Sequence, residues 1–250
     1  MNLLNRTFYS TFHLSFIKLT ICDIFLKEAI MKRLDYLPKH NDIKLYQDSD
    51  MFMINSDTEA LGEFLEVYKN DSVLDMGTNQ GALLLYASLF NPKKLTGLDI
   101  NSSALEIAKE NLELNNITNY ELICADLTKF SHEPYDVIIC NPPYFLTDMD
   151  NLSNNKYKNM AKHETTLTLK DLISSIDRNL KYNGKLYFLF LSSRMEEVVV
   201  LLNKHHLTIK EIKFVFDKNK ENSNVFMVKC VKNAKLGLNA TKPRLFGDRL

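Results

Sequence analysis

The chain has no cysteine pair at the spacing of a metal ligand set or a redox motif. Its four cysteines (Cys22, Cys124, Cys140 and Cys230) stand far apart in 250 residues, with no CxxC and no His-x-His beside them. They read as reduced, buried thiols of a cytoplasmic protein, and neither a disulfide framework nor a metal centre is expected. Internal repeats and low-complexity tracts are missing, which excludes stacked-repeat and compositionally biased architectures. No apolar run is long and clean enough for a membrane span. Phe8–Ile30 is rich in Phe, Leu and Ile, but Lys18, Asp23, Lys27 and Glu28 interrupt it. The same stretch lacks the layout and the small-residue cleavage site of a secretory signal. Net charge is also absent, with 31 basic against 31 acidic residues.

What is present is an ordinary globular composition, 45% hydrophobic, enough for the core of one large α/β domain or a domain with an appendage. The charge is unevenly placed. Residues 31–200 carry 17 Lys and Arg against 25 Asp and Glu, a net of −8, whereas residues 201–250 carry 11 against 4, a net of +7. A basic end of this kind suits either a nucleic-acid-facing surface or simply solvated lysines. Residues 1–30 do not match the rest and read as an upstream extension or a loosely docked helix. Met31 opens a more polar stretch and is the expected natural start.

The periodicity then gives an order of elements. Ile43–Gln47 and Met51–Asn55, split by Asp48-Ser49-Asp50, read as a short hairpin. Ser56-Asp57-Thr58 reads as the cap of a helix from Glu59 to Tyr68, with Leu61, Phe64, Leu65 and Tyr68 on one face. From Ser72 onward, strands near 72–76, 94–100, 120–124, 136–140 and 184–191 alternate with helices near 81–90, 102–115, 168–180 and 194–203. Two last strands, near 208–216 and 225–231, are joined by a short polar link and should pair antiparallel. This pattern predicts a doubly wound, seven-stranded, mostly parallel sheet with an antiparallel last strand. His205-His206 falls at a helix end or strand edge and is not expected to bind a metal.

One strand and its turn carry the acceptor chemistry: Tyr135-Asp136-Val137-Ile138-Ile139-Cys140-Asn141-Pro142-Pro143-Tyr144. The apolar run after Asp136 fits a strand buried on both faces. Asn-Pro-Pro cannot continue a ladder, because two successive residues lack an N–H. Each proline also drives the residue before it into an extended conformation, so Asn141 and Pro142 form a stiff strut at the strand's carboxyl end. That is where open α/β sheets bind ligands. The Asn141 side-chain oxygen and a proline carbonyl can accept from one amino group while Tyr144 offers a flat face. A planar sp2 amine such as the exocyclic nitrogen of adenine is a poor nucleophile. Acceptors aimed at its hydrogens favour the pyramidal geometry it needs to react. The alternative is a tight turn and nothing more.

The donor side is read from Asp75-Met76-Gly77-Thr78-Asn79-Gln80-Gly81, a glycine-containing turn between the first strand of the alternation and its helix. Its middle glycine is replaced by Asn79, a residue that tolerates positive φ. Asp99, with Ile100 beside it, ends the next strand and can accept both hydroxyls of a ribose. Asp126 follows the third strand and can accept from an adenine amine, with Leu127 beside the ring. A dinucleotide or S-adenosylmethionine fits this layout. No third glycine is placed for a pyrophosphate, and the carboxylate of Asp75 suits an ammonium group rather than a phosphate. S-adenosylmethionine is favoured. Met149–Met160, polar and asparagine-rich, is positioned either to close over a substrate or to act as a spacer.

Together these residues resemble a class I S-adenosylmethionine-dependent methyltransferase with the amino-methylating (N/D/S)-P-P-(Y/F) signature. Three further stretches, Arg33-Leu34-Asp35-Tyr36-Leu37, Ala161-Lys162-His163-Glu164 and Lys235-Leu236-Gly237-Leu238, are similar to the bacterial valine-tRNA adenine-N6-methyltransferase family, which modifies the adenine beside the anticodon. The likeness spans residues 31–250. It departs at Asn79, for glycine, and at Lys162, for arginine. The resemblance implies an N-terminal hairpin and helix over 31–70 and a methyltransferase domain over 71–250. It implies that Asp75, Gly77, Gly81, Asp99, Ile100, Asp126, Leu127 and Asn141 hold S-adenosylmethionine, and that Asn141, Pro142 and Tyr144 hold the target adenine. Pro143, Lys162, His163 and Glu164 would bind the flanking substrate with Lys156 and Lys158, and the C-terminal lysines would contact phosphates. Glu164 reads equally well as a cap of the following helix. The implied partner is tRNA, with no metal and no membrane, and a monomer is the working expectation. DNA adenine, a guanine amine of ribosomal RNA or a release-factor glutamine would suit the same turn. Enzymes of the last type usually carry a helical N-terminal domain, for which residues 1–70 look too short. A nucleotide- or RNA-binding module without turnover is the non-enzymatic alternative.

Overall fold

An apolar run needs cover on both faces, and in the computed structural model the strand that carries it lies inside the sheet. The structure describes residues 32–142, 167–217, 221–240 and 242–246. In chain order the elements are β1 (Lys32–Leu37), β2 (His40–Asp48), α1 (Ser56–Phe64), β3 (Ser72–Met76), α2 (Ala82–Ser88), β4 (Lys94–Asp99), α3 (Ser102–Leu114) and β5 (Tyr120–Cys124). They continue as β6 (Tyr135–Cys140), α4 (Leu169–Asn179), β7 (Leu180–Leu191), α5 (Met195–Lys204), β8 (Leu207–Asp217), β9 (Val225–Lys232), β10 (Asn239–Ala240) and β11 (Arg244–Phe246).

The main sheet runs β10-β8-β9-β7-β6-β3-β4-β5, with β11 also on β8. Strands β5, β4, β3, β6 and β7 are mutually parallel, and β9 runs antiparallel between β7 and β8. The doubly wound, mostly parallel sheet is as expected from the sequence. Its strand count is not: among the described residues the sheet has nine strands, because β10 and β11 add to the outer edge of β8 as short parallel pieces. They cover backbone groups that an edge strand would otherwise leave unpaired. Segments of two and three residues are too short to show a period.

Pleating sends alternate residues of β6 into two cores. Ile138 and Cys140 pack on the face covered by α4 and α5, with Leu172, Ile173, Ile176, Val198 and Leu202. Val137 and Ile139 pack on the opposite face, with Leu61 and Phe64 of α1, Leu84 and Leu85 of α2 and Leu112 of α3. All four β6 residues are fully buried, and the three aliphatic ones each contribute about 1.5–3 kcal/mol. Among the described residues no helix is long and apolar enough to cross a membrane.

The N-terminal hairpin differs from the expected one. β1 and β2 pair across Pro38-Lys39, and Lys39 takes a positive φ of 64°. Residues 51–55 form no strand. The far side of β2 meets a helix instead: Asn111 of α3 accepts from the Tyr46 N–H at 2.6 Å and donates to its carbonyl at 3.0 Å. One turn later Asn115 does the same for Lys44, at 3.1 and 2.6 Å. Two side-chain amides four residues apart on one helix face therefore serve the edge of β2 as a partner strand would. Leu37 and Leu45 are fully buried against the same core as α1 and α2.

Helix α1 is also shorter than expected. Asn55, not the Ser56-Asp57-Thr58 run, is its cap, accepting from Thr58 N at 3.0 Å. It stops at Phe64 because the Glu66 peptide is taken by β7. The Tyr187 hydroxyl accepts from Glu66 N and donates to Glu66 O, and Lys185 Nζ donates to the same oxygen. Leu65 becomes extended in consequence.

The basic C-terminal stretch spends much of its charge inside the fold. Lys229 pairs with Glu66, Lys232 with Asp177, Lys213 with Glu211, and Arg244 with Glu59 and Glu63. Those four cations serve packing, which narrows the expectation of phosphate contacts to the other basic residues of this stretch.

Candidate active site at the carboxyl ends of β3, β4 and β6

The register of β3 against β6 brings the two halves of the sequence pattern together. Met76 pairs with Cys140. The next residues, Gly77 and Asn141, therefore leave neighbouring parallel strands side by side, about 4.8 Å apart by strand spacing. Asp99 ends β4 on the other side of β3, where Met76 pairs with Leu98. Glycine turn, acidic residue and elbow thus share one edge of the sheet.

The turn is built from three left-handed residues. Gly77, Asn79 and Gly81 have φ of 80°, 48° and 82°. Asparagine adopts the conformation expected of the glycine it replaces. The two glycines serve different ends. A Cβ on Gly81 would sit 3.1 Å from Ala108 Cβ and 3.2 Å from Ala108 Cα, so this glycine lets α3 approach. A Cβ on Gly77 would meet nothing within 4 Å among the described residues, so its open side faces the crevice.

Asp75 is 1% exposed. Its Oδ2 accepts from the Thr78 hydroxyl at 2.7 Å, while its Oδ1 is buried with no hydrogen-bond partner among the described residues. Burial pushes its carboxyl up to about 7, opposed by the Thr78 hydrogen bond and assisted by the nearby charge of Asp99. An unsatisfied acceptor two residues before an open glycine could receive a small ligand carrying a cationic or hydrogen-bond-donating group.

Asp99 is held rather than free to rotate: Oδ2 accepts from Asn79 N at 2.8 Å and Oδ1 from Asn101 N at 2.9 Å. Each oxygen keeps a second lone pair for hydroxyl donors. Ile100 beside it is 57% exposed, an apolar surface at the mouth of the crevice. Asp126 lies beyond β5 with Oδ1 accepting from the Thr128 N–H and hydroxyl, and these bonds hold its carboxyl below the usual range. Leu127 packs toward the core of α4, where its carbonyl accepts from Ser175. Asn141 is half-buried and Pro142 buried at the end of β6. Pro143, Tyr144, Lys162, His163 and Glu164 lie outside the described residues, as do residues 1–31 and Met149–Met160.

The sequence reading missed the side chains that fasten this edge to the N-terminal segment. The Phe52 carbonyl accepts from Asn79 Nδ2 at 2.6 Å and from Gln80 Nε2 at 2.8 Å. Gln80 Oε1 accepts from Asp48 N, and Gln47 Oε1 from Ile54 N. These amides replace the ladder that residues 51–55 lack, and they hold Phe52 and Met53, both nearly half exposed, beside the turn. The local signal was slight, since buried glutamines have no periodic signature. Among the described residues no His, Cys, Asp and Glu cluster forms a metal site. The thiol of Cys140 is pushed up well above its ordinary value by burial and by Asp75, which leaves it neutral and unsuited to nucleophilic work.

Residues 43–219 match the family model described as "Methyltransferase small domain". The chain is 29% identical over 161 residues to the tRNA1(Val) (adenine(37)-N6)-methyltransferase of Pseudoalteromonas translucida, covering 64% of this chain and 67% of that one. It is 28% identical over 197 residues to the protein of the same name from Flavobacterium psychrophilum, covering 70% and 83%. Among solved structures, ribosomal protein L11 methylase from Lactobacillus delbrueckii subsp. bulgaricus aligns with a TM-score of 0.58 at 20% identity over 80% of this chain and 91% of that one, which shows the shared fold. By the extent of that family match, the chain belongs to the methyltransferase small domain family and is an S-adenosylmethionine-dependent methyltransferase.

Proposed function

We propose that the chain methylates the exocyclic N6 of an adenine in tRNA, specifically the adenine beside the anticodon of valine tRNA. The observation that carries this reading is the register that sets Gly77 and Asn141 on adjacent strand ends. The two relatives named for this reaction support the choice of substrate.

Bound S-adenosylmethionine supplies an electrophilic methyl group on a sulfonium. Asp75, with its unsatisfied Oδ1, and the open face of Gly77 would receive its amino-acid end. Gly81 keeps the turn tight against α3, Asp99 accepts from the ribose, and Ile100, Leu127 and Asp126 border the adenine. Asn141 borders both donor and target. On the acceptor side, the Asn141 side chain and the Pro142 carbonyl accept the two N6 hydrogens, drawing the nitrogen lone pair out of conjugation and toward the methyl group. Tyr144 stacks on the target ring, and Pro143, Lys162, His163 and Glu164 contact the flanking RNA. On taking up a methyl group the nitrogen would release one of its two protons to solvent, so the chain would need to supply no covalent nucleophile. The protein contributes position and polarisation, and the target adenine must leave its stack to arrive.

The test is transfer of tritiated methyl to unmodified tRNA, to DNA and to a release factor in parallel. Label in tRNA, mapped to the adenine beside the anticodon of valine tRNA, is expected. Label confined to DNA or protein overturns the substrate, and absence of label from all three overturns the tRNA reading together with both of those alternatives.

A further inference from the structure

We propose that the cleft at the end of β7 is a second substrate subsite, which receives the uncharged face of a nucleoside flanking the methylated base. The inference rests on the RNA reading above and adds a place for the neighbouring residue. The cleft has a volume of about 520 Å³, with Leu191 and Val225 among its lining and Ser56, Asp57, Ser193, Ser223 and Asn224 around them. That volume lies within the range of ligand-sized sites, about 300–1,000 Å³.

Position selects this cleft. A second one of equal volume, lined by Glu113, Asn116, Ile117, Thr118 and Tyr120, opens where β5 begins, at the sheet's opposite edge. The cleft at β7 lies at the carboxyl edge. Cys140 of β6 pairs with Phe188 of β7, and three residues later Leu191 pairs with Val225 of β9. Across the edge the order is therefore Asp99 on β4, the glycine turn on β3, the Asn141 elbow on β6, and then the cleft between β7 and β9. Donor side and cleft flank the elbow on opposite sides, the cleft one to two strand spacings across and two residues further along, roughly 8–12 Å from it. A base held at Asn141 with the donor at β3 leaves its chain neighbour over the cleft.

Chemistry selects the occupant. Among the described residues no lysine or arginine lines the cleft, and Asp57 is the charged group on its wall. The adjacent Arg194 is turned to Glu197, at 2.8 Å, and to the Phe190 ring. Hydroxyls and an amide offer donors and acceptors together, which suits ribose hydroxyls and base edges. Leu191, part-exposed above the buried Val225, gives apolar contact for a base face. Ser223 is engaged with the Val215 and Val225 carbonyls and shapes the wall. Ser193 and Asn224 are the exposed groups a ligand would meet.

The test uses the full chain, S-adenosylmethionine and an anticodon hairpin carrying the target adenine, with Ser193→Trp to fill the cleft and Asn224→Ala to remove its amide. Both variants are checked for unchanged thermal unfolding; should Ser193→Trp misfold, Asn224→Ala carries the test. The expected result is a rise in KM for RNA of about tenfold or more in Ser193→Trp and a smaller rise in Asn224→Ala. The turnover number and the Kd for the donor should stay within about twofold. An abasic site at one flank of the target should raise the wild-type KM similarly and add nothing in Ser193→Trp, as expected when both changes remove one contact. Unchanged KM in the variants, or losses that add, overturn the subsite while leaving the RNA reading intact. A wild type that labels no RNA overturns that reading, and the subsite falls with it.

Discussion

Gly77 and Gly81 have nearly the same backbone conformation but different surroundings, and replacing each by alanine separates ligand space from packing space. Both substitutions put a Cβ on a residue with φ near +80°, at a cost of about 1–2 kcal/mol. In Gly81→Ala the new methyl also presses on Ala108 Cβ at 3.1 Å and Cα at 3.2 Å, atoms fixed to the backbone of α3. Overpacking adds about 1–3 kcal/mol, for a total destabilisation of roughly 2–5 kcal/mol. In Gly77→Ala the methyl meets nothing of the described protein within 4 Å, so the loss of stability should stop at the strain alone. At roughly 2–4 °C per kcal/mol for a chain of this size, the two variants should differ clearly in Tm. Donor binding should rank the other way. The Gly77→Ala methyl occupies the place proposed for S-adenosylmethionine, and a clash of about 1–3 kcal/mol weakens its Kd by roughly 5–150-fold. Urea unfolding without ligand and calorimetric titration with S-adenosylmethionine measure the two effects. If Gly77→Ala binds the donor within about threefold of wild type while showing the expected strain, the open side of Gly77 is not the cofactor cradle, and the site proposed here is wrong.

Further outcomes follow from the same geometry. Asn141→Ala should abolish methyl transfer while leaving donor affinity within a few-fold; loss of donor binding instead would make the elbow structural. Asp75 has a folded-state carboxyl raised from an ordinary 3.8 to about 7, so below about pH 7 the donor-free fold holds a proton there. Its contribution is full below the unfolded value and is lost as pH rises through 7, so urea midpoints of the donor-free chain should fall between pH 5 and pH 8. Asp75→Asn should flatten that fall, and an unchanged slope would refute the assignment. Asn79→Gly keeps the left-handed turn but deletes the Phe52 contact. It should cost about 0.5–1.5 kcal/mol in urea, and Asn79→Asp more, because two oxygens would then face each other. Asn111 is fully buried and holds Tyr46 N, Tyr46 O and Gln80 O. Asn111→Ala should destabilise by about 2–4 kcal/mol, and a loss under 0.5 kcal/mol would mean that the hairpin is held by its apolar contacts alone.

The alternation of strands and helices, the buried run of β6 and the acidic residue ending β4 were legible because each rests on local chemistry. A period of two or 3.6, a proline without an N–H and an asparagine able to take positive φ act within a few residues of chain. The misplaced hairpin shows where locality fails. Residues 51–55 alternate like a strand, yet their carbonyls and amides are claimed by Gln47, Asn79 and Gln80, two of them from beyond the next helix. Helix α1 ended early for the same kind of reason, since the Tyr187 hydroxyl took the peptide its last turn would have used.

By itself, then, the sequence determined the fold class, the left-handed turn after β3 and the end of β6 at Asn141, since each is a property of a short segment's backbone and side chains. Tertiary structure decided the division of labour between Gly77 and Gly81, the unsatisfied oxygen of Asp75, the strapping of the N-terminal hairpin onto α3 and the placement of the cleft where β7 ends and β9 begins. Those features depend on strand register and on partners tens of residues away, and which distant groups meet is fixed only when the sheet closes over its two cores.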